Sequence, residues 1–185
     1  MRTLVLGGIR SGKSQWAEAT LGREWAETAS GNATVRYIAT GGSDATDPAW
    51  ANRIAAHQDR RPPNWETVET VDVATQLASN LGTPTLVDDV GCWLTAALDQ
   101  RGWGSRSVAA EVDEFVSAVR GFTGPLVLVS PEVGLTVVPA TESGRRFADE
   151  LGILNQRLAE YCDRVVLVVA GLPVWLKPAN TEVES

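Results

Sequence analysis

Short apolar runs alternate with longer segments of helical periodicity along most of the chain. Several runs are nearly continuous in aliphatic and β-branched residues, which is typical of strands buried on both faces of a parallel sheet. They are Thr3–Leu6, Thr34–Ala39, Thr85–Asp89, Leu126–Ser130 and Val165–Ala170. A short extended segment is predicted at 65–69, and residues 172–177 are predicted to return as an antiparallel edge strand.

Helical periodicity fills the intervals between these runs. The predicted helices are Lys13–Glu27, Pro48–His57, Val73–Asn80, Gly91–Gln100, Ser107–Arg120 and Gly144–Tyr161. Asp47-Pro48, Asp72 and Ser143 are the start signals. The β-α alternation predicts a right-handed, three-layer α/β domain with a mostly parallel sheet over residues 1–178, followed by a polar tail at 179–185.

Composition narrows the classes of function. Sixteen basic residues against 23 acidic ones give a net charge of −7, so the electrostatic footprint of a nucleic-acid binder is absent. No 18 apolar residues run together, which predicts no membrane span. The two cysteines, Cys92 and Cys162, have neither disulfide nor zinc spacing, and this favours a reducing cytoplasm.

The sequence GGIRSGKS at residues 7–14 directly follows the first predicted strand and precedes a predicted helix. The spacing G-x-x-x-x-G-K-[ST] is that of a phosphate-binding P-loop, in which glycines turn backbone N–H groups inward. Lys13 would reach the β- and γ-phosphates of a nucleoside triphosphate, and the Ser14 hydroxyl could ligate Mg²⁺. The alternative is an ordinary glycine-rich turn.

Two acidic residues end the third run, and one of them would complete a Mg²⁺ site. P-loop enzymes place a carboxylate at the end of a neighbouring strand, and Asp88 is our prediction for that role. The alternative is that Asp88 or Asp89 only caps the helix beginning near Gly91.

The single histidine, His57, ends the second predicted helix and precedes Arg60 and Arg61. A histidine at a helix C-terminus is usually a solvated residue that interacts with the helix dipole. The functional alternative is a nucleophile that attacks phosphorus, with the arginines holding a triphosphate, and activity would then fall below a pH of about 6.5. The arginines could equally form a solvated charge cluster. The loop Thr40-Gly41-Gly42 would face a ligand at the carboxyl edge of the sheet or form an ordinary glycine turn. Glu69 would bind ribose or base or remain a surface acid.

From residue 4 to residue 177 the chain resembles the bifunctional adenosylcobinamide kinase/adenosylcobinamide-phosphate guanylyltransferase family. The matching blocks are GGIRSGKS at 7–14, YIAT at 37–40, RIAAHQDRRPPNW at 53–65, the strand ending at Asp88, SPEVGLTVVP at 130–139 and LNQRLAEYCDRVVLVVAG at 154–171. The resemblance implies a RecA-like P-loop fold, a homotrimer, Mg²⁺, and GTP and ATP as substrates.

The implied activity is phosphorylation of the aminopropanol arm of adenosylcobinamide, followed by transfer of GMP from GTP to that phosphate. His57 would carry the GMP as a covalent intermediate, and Lys13 would be the second catalytic residue. The nucleotide contacts implied by the family are Gly7, Gly8, Ile9, Arg10, Ser11, Gly12, Lys13, Ser14, Ala39, Thr40, Gly41, Gln58, Asp59, Arg60, Arg61, Glu69 and Asp88. Ser14 and Asp88 are the implied metal ligands.

The chain departs from the family pattern at three positions. It has Gln58 where members often carry lysine, Pro131 where asparagine is common, and Asp88 where glutamate is common. A simple P-loop metabolite kinase, which would need Lys13 and Asp88 but not His57, is the alternative enzyme. A non-catalytic nucleotide switch is disfavoured because the NKxD guanine-reading motif is missing.

Overall fold

Seven strands form one sheet in the computed structural model, which describes residues 1–28, 34–41, 62–104 and 106–178. The strands are β1 (Arg2–Gly7), β2 (Val35–Ala39), β3 (Trp65–Glu69), β4 (Thr85–Asp88), β5 (Leu126–Pro131), β6 (Arg164–Val169) and β7 (Leu172–Lys177). Their spatial order is β3-β2-β4-β5-β1-β6-β7. All neighbours pair in parallel except β6 and β7, so the predicted antiparallel edge strand is confirmed.

Five helices connect the strands in the described part of the chain. They are α1 (Lys13–Thr28), α2 (Val73–Ser79), α3 (Val90–Arg101), α4 (Ala109–Gly121) and α5 (Glu142–Tyr161). The predicted helix at 48–57 and the predicted site residues 57–61 lie outside the described residues, as does the polar tail.

Where the structure describes the chain, each predicted strand and helix is present with its ends within two residues of the predicted ones, and two of the differences have a clear local cause. Helix α5 is capped by Thr141, whose side chain accepts the Gly144 N–H at 3.1 Å, so Ser143 lies within the helix rather than at its start. Strand β4 ends at Asp88, because Asp89 already serves as the N-cap of α3.

Alternate residues of the strands pack on opposite faces of the sheet, which produces the three layers. Leu4, Ile38 and Val87 belong to a large cluster with helices α2 to α5 on one face. Val5 and Tyr37 belong to a smaller cluster with α1 on the other face. Because a strand has a side-chain period of two, a nearly continuous apolar run supplies both layers at once. The carboxyl ends of all parallel strands therefore meet at one edge, where the P-loop lies.

Candidate active site

The P-loop connects the end of β1 to the first turn of α1. Arg10 and Gly12 both adopt positive φ values, 55° and 90°, and Trp16 N–H donates to the Gly12 carbonyl oxygen at 2.9 Å. Lys13 begins α1 and is only 8% exposed. A cation held beside the N-terminal end of a helix, where backbone N–H groups are unpaired, is suited to binding phosphate.

Two glycines of this loop are required by close packing against β6 and β7. A Cβ atom on Gly7 would lie against the Ser11 side chain and 2.8 Å from the Val168 carbonyl oxygen. A Cβ atom on Gly12 would lie 3.1 Å from Gly171 Cα, and Gly171 N–H donates to the Ser11 carbonyl oxygen at 2.8 Å. The turn between β6 and β7 therefore supports the P-loop from behind.

Asp88 lies at the end of β4 and faces the P-loop. The Ser14 hydroxyl is 3.2 Å from Asp88 Oδ1, and the Tyr37 hydroxyl donates to Asp88 Oδ2 at 2.6 Å. The parallel register of β2 and β4 sets Ala39 beside Asp88. The carboxylate is thus fixed between a strand residue and the serine that would ligate a metal ion.

Asp89 has a different role from its neighbour. Its Oδ1 accepts the Cys92 N–H at 2.7 Å and caps α3. Thr40 holds the same residue from the other side, because its hydroxyl donates to the Asp89 carbonyl oxygen at 2.6 Å and accepts the Asp89 N–H at 3.0 Å. Thr40 therefore fixes the segment from which Asp88 projects.

The end of β5 is fixed by a buried polar pair. Ser130 Oγ lies 2.6 Å from Asn155 Oδ1, and Asn155 Nδ2 donates to the Pro131 carbonyl oxygen at 3.1 Å. The next residue, Glu132, donates its N–H to the Gly7 carbonyl oxygen at 3.1 Å. This bond ties the loop that follows β5 directly to the P-loop.

The other sequence-predicted residues that the structure describes, 39–41 and Glu69, lie at the same edge but at different distances from the P-loop. Residues 39–41 end β2, which neighbours β4. Glu69 ends β3, four strands away from β1, or about 19 Å at ordinary strand spacing, and is exposed. Within the described residues, the structure groups Ser14, Asp88 and the P-loop, with Glu69 at the margin.

Sequence reasoning missed three residues that organise this site. Tyr37 was assigned only to an apolar strand, although a buried tyrosine hydroxyl in such a strand needs a polar partner. Asn155 is a buried amide within the amphipathic helix α5, and the same argument applies. Gly171 gave no usable signal, because its contact with Gly12 arises from the pairing of β6 with β7.

The site meets the polar requirements of a nucleotide with its metal ion. Ser11 Oγ is buried and has no hydrogen-bond partner among the described residues, as expected of a group that awaits a phosphate or water. Ser14 and Asp88 offer two oxygen ligands, which suits a Mg²⁺ ion that takes its other ligands from phosphates and water. The described residues hold no cluster of three metal-ligating side chains, so no metal cage independent of the nucleotide is present there.

The structure also bears on the two cysteines and on the predicted lack of a membrane span. Both cysteines are free thiols, and burial raises the pKa of Cys162 to about 12, which leaves it protonated and unreactive. Among the described residues, no helix combines the length and the apolar character that crossing a membrane requires.

A family model described as cobinamide kinase / cobinamide phosphate guanyltransferase matches residues 3–176. The chain is also similar to the bifunctional adenosylcobalamin biosynthesis protein CobP of Pseudomonas aeruginosa, with 42% identity over 184 residues that cover 96% of this chain and 98% of that protein. The CobU protein of the same description from Salmonella typhimurium is 36% identical, and the one from Escherichia coli is 34% identical. Both of these matches cover 96% of this chain and the whole relative.

Proposed function

We propose that this chain, which belongs to the cobinamide kinase / cobinamide phosphate guanyltransferase family, carries out both reactions at the carboxyl edge of its sheet. The first reaction phosphorylates the hydroxyl of the aminopropanol arm of adenosylcobinamide with ATP or GTP. The second joins GMP from GTP to that phosphate and releases pyrophosphate, giving adenosylcobinamide-GDP. The names of the three relatives, each bifunctional and each covered almost completely, support this assignment.

One observation carries the proposal: the carboxylate of Asp88 lies 3.2 Å from the Ser14 hydroxyl at the start of α1. A strand-end carboxylate beside the P-loop serine is the arrangement that P-loop enzymes use to hold Mg²⁺ on the β- and γ-phosphates. Ser14 and Asp88 would hold the ion with phosphate oxygens. When bound, Mg²⁺ would supply neutralisation of the charge that develops on the transferred phosphate.

In the kinase reaction the P-loop residues bind and orient the triphosphate. The backbone N–H groups of residues 8–14 and the Lys13 ammonium would surround its phosphates. The substrate hydroxyl oxygen forms a bond to the γ-phosphorus as the bond to the β,γ-bridging oxygen breaks. The hydroxyl proton leaves to water, and a nucleoside diphosphate is released.

For the guanylyl transfer we propose His57 as the nucleophile. A neutral imidazole nitrogen bonds to the α-phosphorus of GTP, the bond to the α,β-bridging oxygen breaks, and pyrophosphate leaves. A phosphate oxygen of cobinamide phosphate then displaces the imidazole and regenerates it. Residues 58–61 follow His57 in sequence and would contact the nucleotide, with Arg60 and Arg61 holding its phosphates. Residues 39–41 would also contact the nucleotide, and Glu69 would bind its ribose or base.

We also propose that the enzyme is a cytoplasmic homotrimer. All six residues of the edge strand β7 are exposed, and Leu172, Val174, Trp175 and Leu176 among them are apolar. An exposed apolar edge strand is suited to contact with another copy of the chain. Two free cysteines support a reducing compartment.

The test of the covalent step uses GTP labelled at the α-phosphate. Purified protein is incubated with Mg²⁺ and the labelled GTP, and an acid-labile, base-stable adduct is sought and mapped to its peptide. We expect label on His57 and none in His57→Ala, which should still bind nucleotide through the P-loop.

The same experiment separates the two candidate enzymes. A His57→Ala variant that retains full guanylyl transfer would contradict the covalent mechanism. A wild-type protein that phosphorylates cobinamide but forms no adduct and no cobinamide-GDP would be a P-loop metabolite kinase.

A further inference from the structure

The loop between β5 and α5, residues 132–140, presents an unusual apolar surface beside the P-loop. Val137 is 92% exposed, Leu135 is 77% exposed and Val138 is 73% exposed. Ile9, at the tip of the adjacent P-loop, is 90% exposed. Single exposed apolar side chains are ordinary on protein surfaces, whereas a group of them at one place marks a binding surface.

This loop is held in place by its own polar groups. Glu132 Oε1 accepts the Gly134 N–H at 2.7 Å, and the Thr136 hydroxyl donates to the Val133 carbonyl oxygen at 3.1 Å. Arg145 on α5 donates to the carbonyl oxygens of Pro139 and Ala140 at 3.1 and 2.8 Å. The backbone bonds therefore fix the loop at both ends and leave its apolar side chains facing outward.

The position of the loop limits what can bind there. Glu132 N–H is bonded to the Gly7 carbonyl oxygen at 3.1 Å, so the loop begins at the first residue of the P-loop. The six residues from Glu132 to Val137 span at most about 20 Å even when fully extended. A molecule on this surface would therefore lie within about 20 Å of the first residue of the P-loop.

We infer that Leu135, Val137 and Val138 dock the corrin ring of the cobinamide substrate, an inference that rests on the proposed function. The reacting oxygen of that substrate sits at the end of a short aminopropanol arm, so the ring must stay near the transferred phosphate. A corrin is a large macrocycle whose rim carries methyl groups, and burial against aliphatic side chains favours its binding. The P-loop, in contrast, offers only phosphate-binding groups and cannot distinguish this acceptor from others.

The alternative occupant is a second copy of the chain. The β7 strand, on the opposite flank of the P-loop, is the edge strand of the sheet in the described residues and offers a longer apolar edge for that purpose. The loop has no such strand edge and adjoins the site where the acceptor must react. These positions favour the substrate as the occupant of the loop.

The test compares Val137→Ser and the double variant Leu135→Ser/Val137→Ser with Ile153→Ser as the control. Ile153 is a 55% exposed apolar residue on α5, about 16 Å along that helix from its first residue. Rates are measured with cobinamide and with GTP as the varied substrate. The binding of cobinamide is measured by equilibrium dialysis, with the corrin detected by its absorbance, and the mass of the protein is measured by sedimentation.

We expect Val137→Ser to raise the KM and Kd for cobinamide about 5-fold and the double variant about 20-fold, because apolar contact area is lost. The KM for GTP, the kcat and the mass should not change, and Ile153→Ser should match the wild type. Unchanged cobinamide KM and Kd in both loop variants would overturn the inference. So would a lower mass with unchanged cobinamide affinity, since the loop would then be a contact between copies.

The wild-type enzyme separates this inference from the proposed function. If the wild type does not use cobinamide at all, the proposed function fails and the docking role of the loop fails with it. If the wild type is active and the loop variants are equally active, only the docking role fails.

Discussion

The carboxyl edge of the sheet, where the parallel strands end, and the amino edge, where they begin, use the same kinds of residue for opposite purposes. At the carboxyl edge, Lys13, Ser14 and Asp88 gather around a P-loop in which the buried Ser11 hydroxyl has no partner in the described part of the chain. At the amino edge, in contrast, Arg164 donates to both carboxylate oxygens of Glu24 at 2.8 Å, and Arg2 pairs with Asp163. Polar groups at the first edge are directed at a ligand, and those at the second are directed at the protein.

The cause is the direction of the chain in a parallel sheet. Each strand delivers its last residue, and the N-terminal end of the following helix, to the carboxyl edge. The amino edge receives helix ends and strand starts, where Arg2 and Asp163 join neighbouring strands. Changes at the carboxyl edge should therefore affect the reaction, and changes at the amino edge should affect stability.

The largest effect is expected for Lys13→Met, which keeps the length of the side chain and removes its charge. Both activities should fall about 10²- to 10³-fold, since the cation stabilises charge on the transferred phosphate. The unfolding temperature should not fall, because methionine fills the buried site and removes the cost of burying a charge. Steady-state kinetics with cobinamide and with cobinamide phosphate, together with a melting curve, check both statements.

Lys177→Met is the matched control, since Lys177 is the only other lysine in the sequence. It lies at the amino edge, where its ammonium donates to the carbonyl oxygens of Ala159 and Cys162 at 3.1 and 2.6 Å. This variant should melt at a lower temperature and keep its kcat. Equal kinetic losses in the two variants would remove the distinction between the edges.

An intermediate effect is expected within the carboxyl edge, at two adjacent acids. Asp88→Asn should lower the rate of phosphoryl transfer about 10- to 100-fold, because a neutral amide is a weaker ligand for Mg²⁺ beside Ser14. Asp89→Asn should stay within about threefold of the wild type, because asparagine caps a helix as well as aspartate does. The Mg²⁺ dependence of the rate in each variant is the measurement, and a right-shifted curve for Asp89→Asn alone would reverse the two roles.

The smallest effect is expected at the amino edge for Asp163→Asn. Partial burial by itself raises the pKa of Asp163, but the Arg2 backbone N–H at 2.6 Å and the Arg2 guanidinium outweigh it and hold the pKa below its ordinary value. The ionised form is thus favoured by folding, and the stability it contributes is present above the unfolded value of about 3.9 and is lost as pH falls through the folded pKa. Because Asp163 is partly exposed, the contribution should be at most about 1 kcal/mol.

Urea unfolding of wild type and Asp163→Asn at pH 7 and at a pH well below 3.9 tests this sign. The variant should be less stable at pH 7, and the difference should shrink in acid, with activity at neutral pH unchanged. A difference that grew in acid would show that the carboxylate is not favoured in the folded state.

Most of the fold could be predicted from local pattern. Nearly continuous apolar runs predicted the five central strands, and the motif after the first run located the P-loop. The antiparallel return of β7 was also predicted, because Gly171 breaks the chain directly after β6. The start of α5 was not, because Thr141 and Ser143 are both good N-caps, and only the structure shows that Thr141 accepts the Gly144 N–H.

The sequence by itself determined the chemistry that this protein can offer: a phosphate-binding loop, one histidine, and a pair of acids at the end of a strand. Only the tertiary structure shows which acid faces the P-loop, because the two acids are adjacent in sequence. The Asp88 side chain contacts Ser14, whereas the Asp89 side chain caps the N-terminus of α3. It also brought Tyr37, Gly171 and the apolar β5–α5 loop to the site. These contacts join residues far apart in the chain, and strand order, which local sequence does not encode, sets which of them meet.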